Sequence, residues 1–187
     1  MILMNKGILA ESVMRIIDVV NYNTQWPTLF AEESAVLLAA LENKISRIHH
    51  VGSTSVPGMA AKPVIDILLE VIDREALDSL ASGMESAGYV SRGEYGIPNR
   101  RYFSKGGEQR SHQVHAFVVG DEHILKLLAF RNYLVKNEEI AKRYAEIKRA
   151  GVLASENDLR RYSAFKAGFI EHHLRLALLA HEKKQPS

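Results

Sequence analysis

The sequence predicts an α+β fold in which a mixed β-sheet is covered by helices and the C-terminal portion of the chain is helical. Three observations predict it. An early segment has apolar residues at helical spacing, a middle part has short β-branched runs between glycine-containing turns, and the chain from Asp121 onward is mostly helical in pattern. The length of 187 residues, 47% of them hydrophobic, suits one compact domain, so we expect residues 1–187 to form a single domain.

The first half of the chain is predicted to form a helix, two strands and a second helix. Residues 23–44 have apolar side chains at helical spacing, which indicates a helix packed on the sheet. Residues 45–51 (ISRIHHV) and 63–71 (PVIDILLEV) have the composition of strands, and the second is apolar enough to be buried. The stretch GSTSVPGM between them predicts a turn or short helix, and residues 73–88 are helical in pattern. We expect the strand pair near the centre of the sheet.

The second half of the chain is predicted to add short strands and then helices. The strands are separated by glycine-containing turns and lie at 89–93, 100–106 and 112–120. The helical stretches lie at 123–137, 138–151 and 156–184. Residues 183–187 (KKQPS) are polar and predict a disordered tail.

Composition excludes several classes of function. The chain has no cysteine, which excludes disulfides, thiolate zinc sites and cysteine nucleophiles. No apolar run approaches the ~20 residues of a membrane-spanning helix, and the N-terminus lacks a signal-peptide cleavage site, so we expect a cytoplasmic protein with no membrane partner. The net charge of +2 is too small to indicate a nucleic-acid partner. The basic run at 142–149 is interrupted by Glu146, which favours a solvated helix face.

Polar residues are concentrated in and between the two predicted strands of the first half. Strand alternation places Asp66, Leu68 and Glu70 on one face of the second strand. A carboxylate in an apolar strand needs a cation, hydrogen bonds or a metal ion, so Asp66 is a candidate functional residue. Gly52 and Ser53 follow the first strand, where backbone N–H groups and a hydroxyl can bind phosphate. The alternative is that the serines of this turn only cap a short helix.

A Gly-Ser turn that leads into an aspartate-bearing strand resembles the nucleotidyltransferase superfamily, in which the turn binds phosphates and strand carboxylates hold Mg²⁺. More closely, the chain resembles the GrpB family, a set of small bacterial proteins with a nucleotidyltransferase-like fold, over about residues 19–170. The resemblance is most specific in HVGSTSVPGMAAKPVIDI and extends to GIPNRRYFSKG, HQVHAF, LLAFRNYL and YSAFKAGFI. The resemblance also implies that some relatives are fused to dephospho-coenzyme A kinase, which points toward nucleotide-related metabolism.

The resemblance implies a role for each matching residue. Asp66 would be the first metal-binding carboxylate, but Leu68 occupies the position of the second and cannot ligate an ion. Glu70 lies on the same face about 13 Å from Asp66, at ~3.3 Å per residue, which is too far to chelate the same ion. We therefore expect one Mg²⁺ or none, because two-metal catalysis needs carboxylates that hold both ions. The phosphate-binding turn would comprise Gly52, Ser53 and Thr54.

Histidines add candidate catalytic groups. The resemblance places His115 near the third acidic group of the superfamily, where a histidine could act as a base or as a metal ligand. The alternative is a structural, hydrogen-bonded histidine. His49 and His50 alternate along one strand, so at most one of them faces the pocket.

Cations would supply the other half of a phosphate site. Arg100 and Arg101 alternate along a strand, so we expect one of them to reach the pocket. Arg131 could instead pair with a strand carboxylate, and Lys166 could instead cover apolar surface with its aliphatic stem. The candidate phosphate-binding cations are Lys62, Arg100, Arg101, Arg131 and Lys166.

These residues predict a nucleotidyltransferase-like protein that binds a nucleotide or another phosphorylated small molecule, with weak or single-metal nucleotidyl transfer at most. Asp66 and His115 are its predicted catalytic residues. The alternative is a binding module without catalysis, which the apolar side chain of Leu68 favours. A serine hydrolase using Ser53 or Ser55 is disfavoured, because GSTSVPG lacks the G-x-S-x-G nucleophile elbow.

Overall fold

The computed structural model describes residues 18–183, which form one five-stranded sheet and six α-helices. The strands are β1 (Ile45–Val51), β2 (Ile65–Val71), β3 (Val90–Ser91), β4 (Arg101–Lys105) and β5 (His112–Val118). The helices are α1 (Trp26–Leu41), α2 (Arg74–Asp78), α3 (Leu80–Ser86), α4 (Glu122–Lys136), α5 (Glu138–Ala154) and α6 (Leu159–Glu182). The α+β class predicted from the sequence is confirmed.

The sheet is mixed and has the strand order β1-β2-β5-β4-β3. Strands β2 and β5 run parallel, and the other neighbouring pairs are antiparallel. The central strand is therefore β5, and β1 lies at an edge, which corrects the expectation that the β1–β2 pair occupies the centre. Every residue of β2 except the half-buried Asp66 is buried, as expected for an apolar strand covered on both faces.

The helices and strands lie where the sequence patterns predict them, with one break and one shortening. The predicted helix 73–88 is divided at Ser79 into α2 and α3. Asp73 caps α2 by accepting a hydrogen bond from the Ala76 N–H at 2.8 Å. Gly88 follows α3 with a φ of 85°, a conformation that glycine adopts without steric cost. The first of the predicted short strands is reduced to the two residues of β3.

Different helices cover the two faces of the sheet. One face packs against α1, α2 and α3 in a core that includes Trp26, Leu37, Ile67, Leu69, Leu80 and Val114. The opposite face packs against α4 in a smaller cluster that contains Val51, Leu68, Phe117 and Ile124. A third cluster joins α4, α5 and α6 to the segment between β1 and β2. Because Asp66 and Leu68 share one side of β2, the C-terminal helices cover the face that carries Asp66.

Some of the sequence predictions concern residues outside this range. Residues 1–17 of the predicted single domain and residues 184–187 of the predicted tail lie outside the described residues, so the domain limits stay a prediction. No helix between residues 18 and 183 is long and apolar enough to cross a lipid bilayer.

Candidate functional site

The turn after β1 lies directly against the Asp66 carboxylate. Val51 pairs with Asp66 across the β1–β2 ladder, so Gly52 leaves the strand beside that side chain. Gly52 has a φ of 70°, and a Cβ built on it would overlap the Asp66 carboxylate and lie 2.9 Å from the Asp66 Cβ. Glycine is therefore required here for two independent reasons, its backbone conformation and the approach of Asp66.

The turn itself is a short 3-10 helix, Ser53–Ser55, whose side chains have different environments. Ser53 is half-buried next to Gly52. The Ser55 hydroxyl donates to the Gly52 carbonyl at 2.6 Å. Thr54 is buried, and its hydroxyl lies 2.9 Å from His50 Nε2 and donates to the Val64 carbonyl at 3.4 Å. The Thr54 side chain, predicted to bind phosphate, is therefore part of the protein core.

His115 lies on the same side of the sheet as Asp66, as the resemblance to the superfamily implies. The parallel register pairs Leu68 with His115, and the His115 Nε2 lies 3.7 Å from the Asp66 Oδ1. Arg100 Nη1 lies 3.2 Å from the His115 Nδ1. Because a guanidinium can only donate, Nδ1 is the acceptor and neutral His115 has its proton on Nε2, which faces Asp66. In this arrangement neutral His115 has no free lone pair, and its Nε2–H is directed toward the carboxylate at a distance longer than a hydrogen bond.

The two adjacent arginines face opposite sides of the sheet, so only one of them reaches this region. Arg100 is 5% exposed and donates to the backbone carbonyls of Glu94 and Tyr95 at 3.1 and 2.7 Å. Burial lowers the pKa of Arg100 from its usual value. Arg101 instead pairs with Asp78 at the end of α2. The structure therefore brings Arg100 to His115 and places Arg101, also predicted to bind phosphate, away from Asp66.

Two lysines from the C-terminal helices carry positive charge toward Asp66. Lys148 on α5 is 2% exposed, and its Nζ donates to the Ala60 carbonyl at 2.6 Å. Burial and the neighbouring charges of Lys166 and Arg149 lower the pKa of Lys148 to about 7, although Asp66 acts in the opposite direction. Burial also lowers the pKa of Lys166, again opposed by Asp66. The Nζ atoms lie over the rings of Tyr144 and Tyr162, at 4.7 and 4.5 Å respectively.

Neither ammonium group has a carboxylate partner. Among residues 18–183, no aspartate or glutamate oxygen lies within 4.0 Å of the Nζ of Lys148 or Lys166. A buried ammonium without a counter-ion is costly, because its hydration is lost and no opposite charge replaces it. The two lysines therefore create a positive region that an anion would stabilise.

Sequence reasoning missed Lys148. It assigned the segment 142–149 to a solvated helix face, which is wrong for Lys148 because this side chain is buried. The signal that could have identified it is helical spacing, since Lys148 lies on the buried stripe of α5. The other buried residues of α5 are Ala141, Tyr144, Ala145 and Gly151.

Arg131 adds a third cation near the Gly-Ser turn. Its Nη1 donates to the His50 carbonyl at 2.9 Å, and its other donors reach the Asn132 side chain. In the described part of the chain it has no ion pair with Asp66 or Glu70, the alternative that the sequence left open. Glu70 instead accepts from the His49 Nε2 at 2.7 Å.

Lys62, another cation predicted to bind phosphate, is half-buried in the segment that leads to β2.

His49 and His50 face opposite sides of the sheet, as predicted. His50 lies on the α1 side, where its ring stacks on Phe30 with centroids 4.7 Å apart. Burial lowers the pKa of His50 to about 4. His50 is therefore a neutral structural residue at pH 7 and does not line the Asp66 site.

The residues around Asp66 do not fit a two-metal centre. Leu68 is fully buried in the cluster under α4, and Glu70 is paired with His49. Within residues 18–183, no group of three histidine or carboxylate side chains is arranged to hold a metal ion. Asp66 is the one carboxylate of β2 that is positioned to contribute a ligand, which suits at most a single, mostly hydrated Mg²⁺.

Comparison with known proteins identifies relatives over most of the chain. The chain is 40% identical over 157 residues to the UPF0157 protein YqkA of Bacillus subtilis, which covers 84% of this chain and 46% of YqkA. The chain thus spans less than half the length of that relative. It is also 27% identical over 167 residues to a protein named dephospho-CoA kinase from Mycolicibacterium paratuberculosis, covering 76% of this chain and 41% of that protein.

A solved structure and a family model agree on the relationship. The crystal structure of the conserved protein GrpB from Enterococcus faecalis matches with a TM-score of 0.83 and 38% identity, covering 88% of this chain and 99% of that chain. The model described as GrpB protein matches residues 16–176, close to the span over which the sequence resembles this family. The chain belongs to the GrpB family.

Proposed function

We propose that this protein binds a phosphorylated small molecule, such as a nucleotide, at the Gly52–Ser53 turn, and that any nucleotidyl transfer it performs is weak. The observation that carries the proposal is a pair of lysines, the buried Lys148 and the half-buried Lys166, which lie near Asp66 and have no carboxylate partner at ion-pair distance among residues 18–183. The nucleotidyltransferase-like character of the GrpB family supports the same ligand class.

Electrostatics favours an anion at this site. Lys166 and Arg131 contribute two cations, Lys148 with its pKa of about 7 contributes part of a third, and Asp66 contributes one negative charge. A bound phosphate would provide the two lysine side chains with an opposite charge, which raises their pKa toward the usual value and favours the charged form of Lys148. Burial strengthens such charge–charge interactions relative to those at an exposed surface.

Weak catalysis follows from the missing carboxylate. A two-metal mechanism stabilises both the attacking and the leaving oxygen, and it requires side chains that hold both ions. Leu68 cannot supply a ligand, and its burial means that a carboxylate at this position would lie in an apolar cluster. Loss of metal ligands damages transition-state stabilisation more than ground-state phosphate contacts. Binding should therefore be much easier to detect than turnover.

A binding module without catalysis is the second candidate, and the geometry around Asp66 favours it. Arg100 holds His115 so that the Nε2–H faces the Asp66 carboxylate. An N–H group directed at a carboxylate offsets part of its negative charge, which lessens the need for a metal ion. This candidate predicts ligand binding that is independent of Mg²⁺, whereas weak transfer predicts an affinity that rises with Mg²⁺.

The test is a calorimetric and thermal-shift titration with inorganic phosphate, pyrophosphate, ATP, CTP and dephospho-coenzyme A, each with and without Mg²⁺. The last compound is included because one relative is named dephospho-CoA kinase. A ligand at 100 times its dissociation constant adds about 2.7 kcal/mol to the free energy of unfolding. Absence of binding by the whole panel would contradict the proposal.

Variants locate the binding. The double variant Ser53→Ala, Lys166→Met should bind the best ligand at least about tenfold more weakly, because it removes a hydroxyl and a charge from the site. The variant Arg101→Ala is the matched control, because Arg101 pairs with Asp78 on the other face. Equal affinity of the double variant and the unmodified protein would place the ligand elsewhere.

A transfer assay separates the two candidates. Release of pyrophosphate from ATP is measured for the unmodified protein, Asp66→Asn and His115→Ala. The weak-transfer candidate expects slow, Mg²⁺-dependent release that is lost in Asp66→Asn. The binding module expects no release above the Asp66→Asn background, and rapid Mg²⁺-dependent turnover by the unmodified protein would refute both candidates.

A further inference from the structure

A cavity of about 250 Å³ lies between the sheet, α4 and α6, on the Asp66 side of the sheet. Its walls are mainly aliphatic and aromatic side chains: Ile97, Phe117, Leu127, Phe130, Ile170 and Leu174. The polar lining residues are Arg100, His115, His123 and Lys126, and the Lys126 ammonium pairs with Glu122. Nothing in the proposed phosphate site uses this apolar space.

The cavity adjoins the proposed phosphate site through His115. The imidazole ring lines the cavity, while its Nε2 lies 3.7 Å from the Asp66 Oδ1. The two regions also share one face of α6, since Lys166, Ile170 and Leu174 follow each other at intervals of four residues. Each interval corresponds to about 6 Å along a helix. A ligand can therefore extend from the charged end of this cleft into its apolar end.

The size and the walls of the cavity suit one ring system. Ligand pockets for whole small molecules are typically ~300–1,000 Å³, whereas a cavity of ~150 Å³ holds a benzene ring. The walls are partly aromatic, since the rings of Phe117 and His123 stack with centroids 5.1 Å apart and planes 8° from parallel. The His123 Nδ1 lies 2.8 Å from Asp121 Oδ1, and Arg100 donates to backbone carbonyls. The walls therefore offer shape and apolar contact, with few hydrogen-bonding groups for a ring edge.

We propose that this cavity binds a planar, uncharged ring of the same ligand whose phosphate occupies the site at Gly52 and Lys166. The inference rests on the proposed function and extends it to a ligand class, phosphorylated aromatic or heteroaromatic compounds. Because the walls carry few free donors and acceptors, the cavity selects for ring size and apolarity. Nucleotides with different bases of one ring size bind with similar affinity.

The test is a calorimetric series in which the phosphate is constant and the ring varies: inorganic phosphate, methyl phosphate, phenyl phosphate and 1-naphthyl phosphate. Phenyl phosphate should bind at least about tenfold more tightly than methyl phosphate, because the ring is removed from water, and 1-naphthyl phosphate should bind more tightly still. Equal affinities across the series would overturn the inference and leave the proposed function intact.

Two variants on one helix locate the ring. Leu127→Trp should fill the cavity and abolish the higher affinity of phenyl phosphate over methyl phosphate. The affinity for methyl phosphate should stay the same. Leu125→Trp is the matched control, because Leu125 is an exposed residue of the same helix and does not line the cavity. Binding of methyl phosphate by Leu127→Trp also reports that the variant is folded. If Leu127→Trp still binds phenyl phosphate more tightly than methyl phosphate, the inference is overturned.

A third variant covers the case in which Leu127→Trp does not fold. Ile170→Ala removes part of the cavity wall, so it should lower the affinity for 1-naphthyl phosphate several-fold without changing the affinity for methyl phosphate. An unchanged affinity for 1-naphthyl phosphate would overturn the inference. If naphthol binds but no phosphate ester binds more tightly than naphthol, the proposed function fails and the linked ligand class fails with it.

Discussion

Two carboxylates on opposite sides of the sheet have contrasting environments. Glu33 on α1 is buried, and Lys105 Nζ donates to its two oxygens at 2.9 and 3.0 Å. Asp66 on the other side is half-buried, and among residues 18–183 no lysine or arginine nitrogen lies within 4.0 Å of its oxygens, the neutral His115 Nε2 being 3.7 Å away. A carboxylate that is paired by its own protein stabilises the fold, whereas one surrounded by cations beyond ion-pair distance marks a place where a ligand completes the charges.

The lysines in the two regions make the same contrast. Lys105 lies over the Tyr89 ring at 5.4 Å and pairs with Glu33. Lys148 lies over the Tyr144 ring at 4.7 Å, but its Nζ donates to a backbone carbonyl. Both lysines use an aromatic ring, which stabilises a cation modestly. The difference is that Lys105 has a carboxylate partner and Lys148 does not. Removing the Lys105–Glu33 pair should therefore lower stability, whereas removing Lys148 should weaken ligand binding.

The largest expected effect is on the Asp66 side, at Gly52. Gly52→Ala should lower the free energy of unfolding by about 3 kcal/mol, because it combines a positive φ with overlap of the Asp66 side chain. It should also weaken phosphate binding, because the overlap displaces the Gly52–Ser53 turn that is proposed to bind the phosphate. Chemical denaturation and calorimetry measure both effects.

Gly58→Ala is the matched control for Gly52→Ala. Gly58 has a similar φ of 75°, but a Cβ on it meets no atom of the described residues, 18–183, within 4 Å. Gly58→Ala should lower the free energy of unfolding by about 1 kcal/mol, from the backbone conformation alone. If the two alanine variants lose equal stability, the close approach of Asp66 to the turn is not a constraint.

The next largest effects distinguish a charged residue that stabilises the fold, Glu33, from one that binds the ligand, Lys148. Glu33→Gln should lower the free energy of unfolding by about 2 kcal/mol, because Lys105 loses its partner, and ligand affinity should not change. Lys148→Met should leave stability equal or raised, because it removes a buried, unpaired charge, while phosphate affinity falls at least about tenfold. Loss of stability without loss of binding in Lys148→Met would reverse our assignment of this residue.

The pH dependence of stability provides an independent effect, which is smaller per pH unit than the effects expected for Gly52→Ala and Glu33→Gln. Lys148 has a pKa of about 7 in the folded protein, below the usual value of 10.5, so the unfolded chain binds more protons between these pH values. The free energy of unfolding should therefore rise as pH increases from 7 toward 10.5, by about 1.4 kcal/mol per unit at most. Urea denaturation of the unmodified protein and Lys148→Met should give curves that differ in slope over this window. Parallel curves would argue against a buried, titrating Lys148.

The smallest effect is expected at Arg101. This side chain pairs with Asp78, half of whose side chain is exposed, and such pairs contribute little to stability. Arg101→Ala should therefore change the unfolding midpoint only slightly and leave ligand affinity within about twofold, which denaturation and calorimetry can measure together. A large loss of affinity would mean that the α2 side of the sheet also contacts the ligand.

Much of the local structure could be predicted because it depends on short-range patterns. The order of helices and strands follows from spacing of apolar residues and from glycine and aspartate at element ends. Strand alternation likewise predicts that Asp66 and Leu68 share a face and that Arg100 and Arg101 do not. These predictions hold because the direction of a side chain along a strand is a property of the backbone.

The burial of each polar residue could not be predicted in the same way. Lys148 and Ala60 are 88 positions apart in the chain, and their hydrogen bond exists only because α5 packs against the segment between β1 and β2. Thr54 has partners that are closer in the chain, His50 and Val64, but they too are brought together only when β1 and β2 pair in the sheet. Solvent exposure depends on which distant elements meet, which no local pattern contains.

The sequence by itself determined the fold class, the positions of the helices and strands, the Gly52 turn beside the Asp66 strand, and the absence of a second carboxylate at Leu68. Only the tertiary structure decided that β1 lies at an edge, that Arg100 rather than Arg101 reaches His115, and that Lys148 is buried near Asp66. The physical reason is the distance along the chain over which each effect acts. Backbone geometry and side-chain alternation act over a few residues, whereas the loss of water around a charge requires several elements to pack around it.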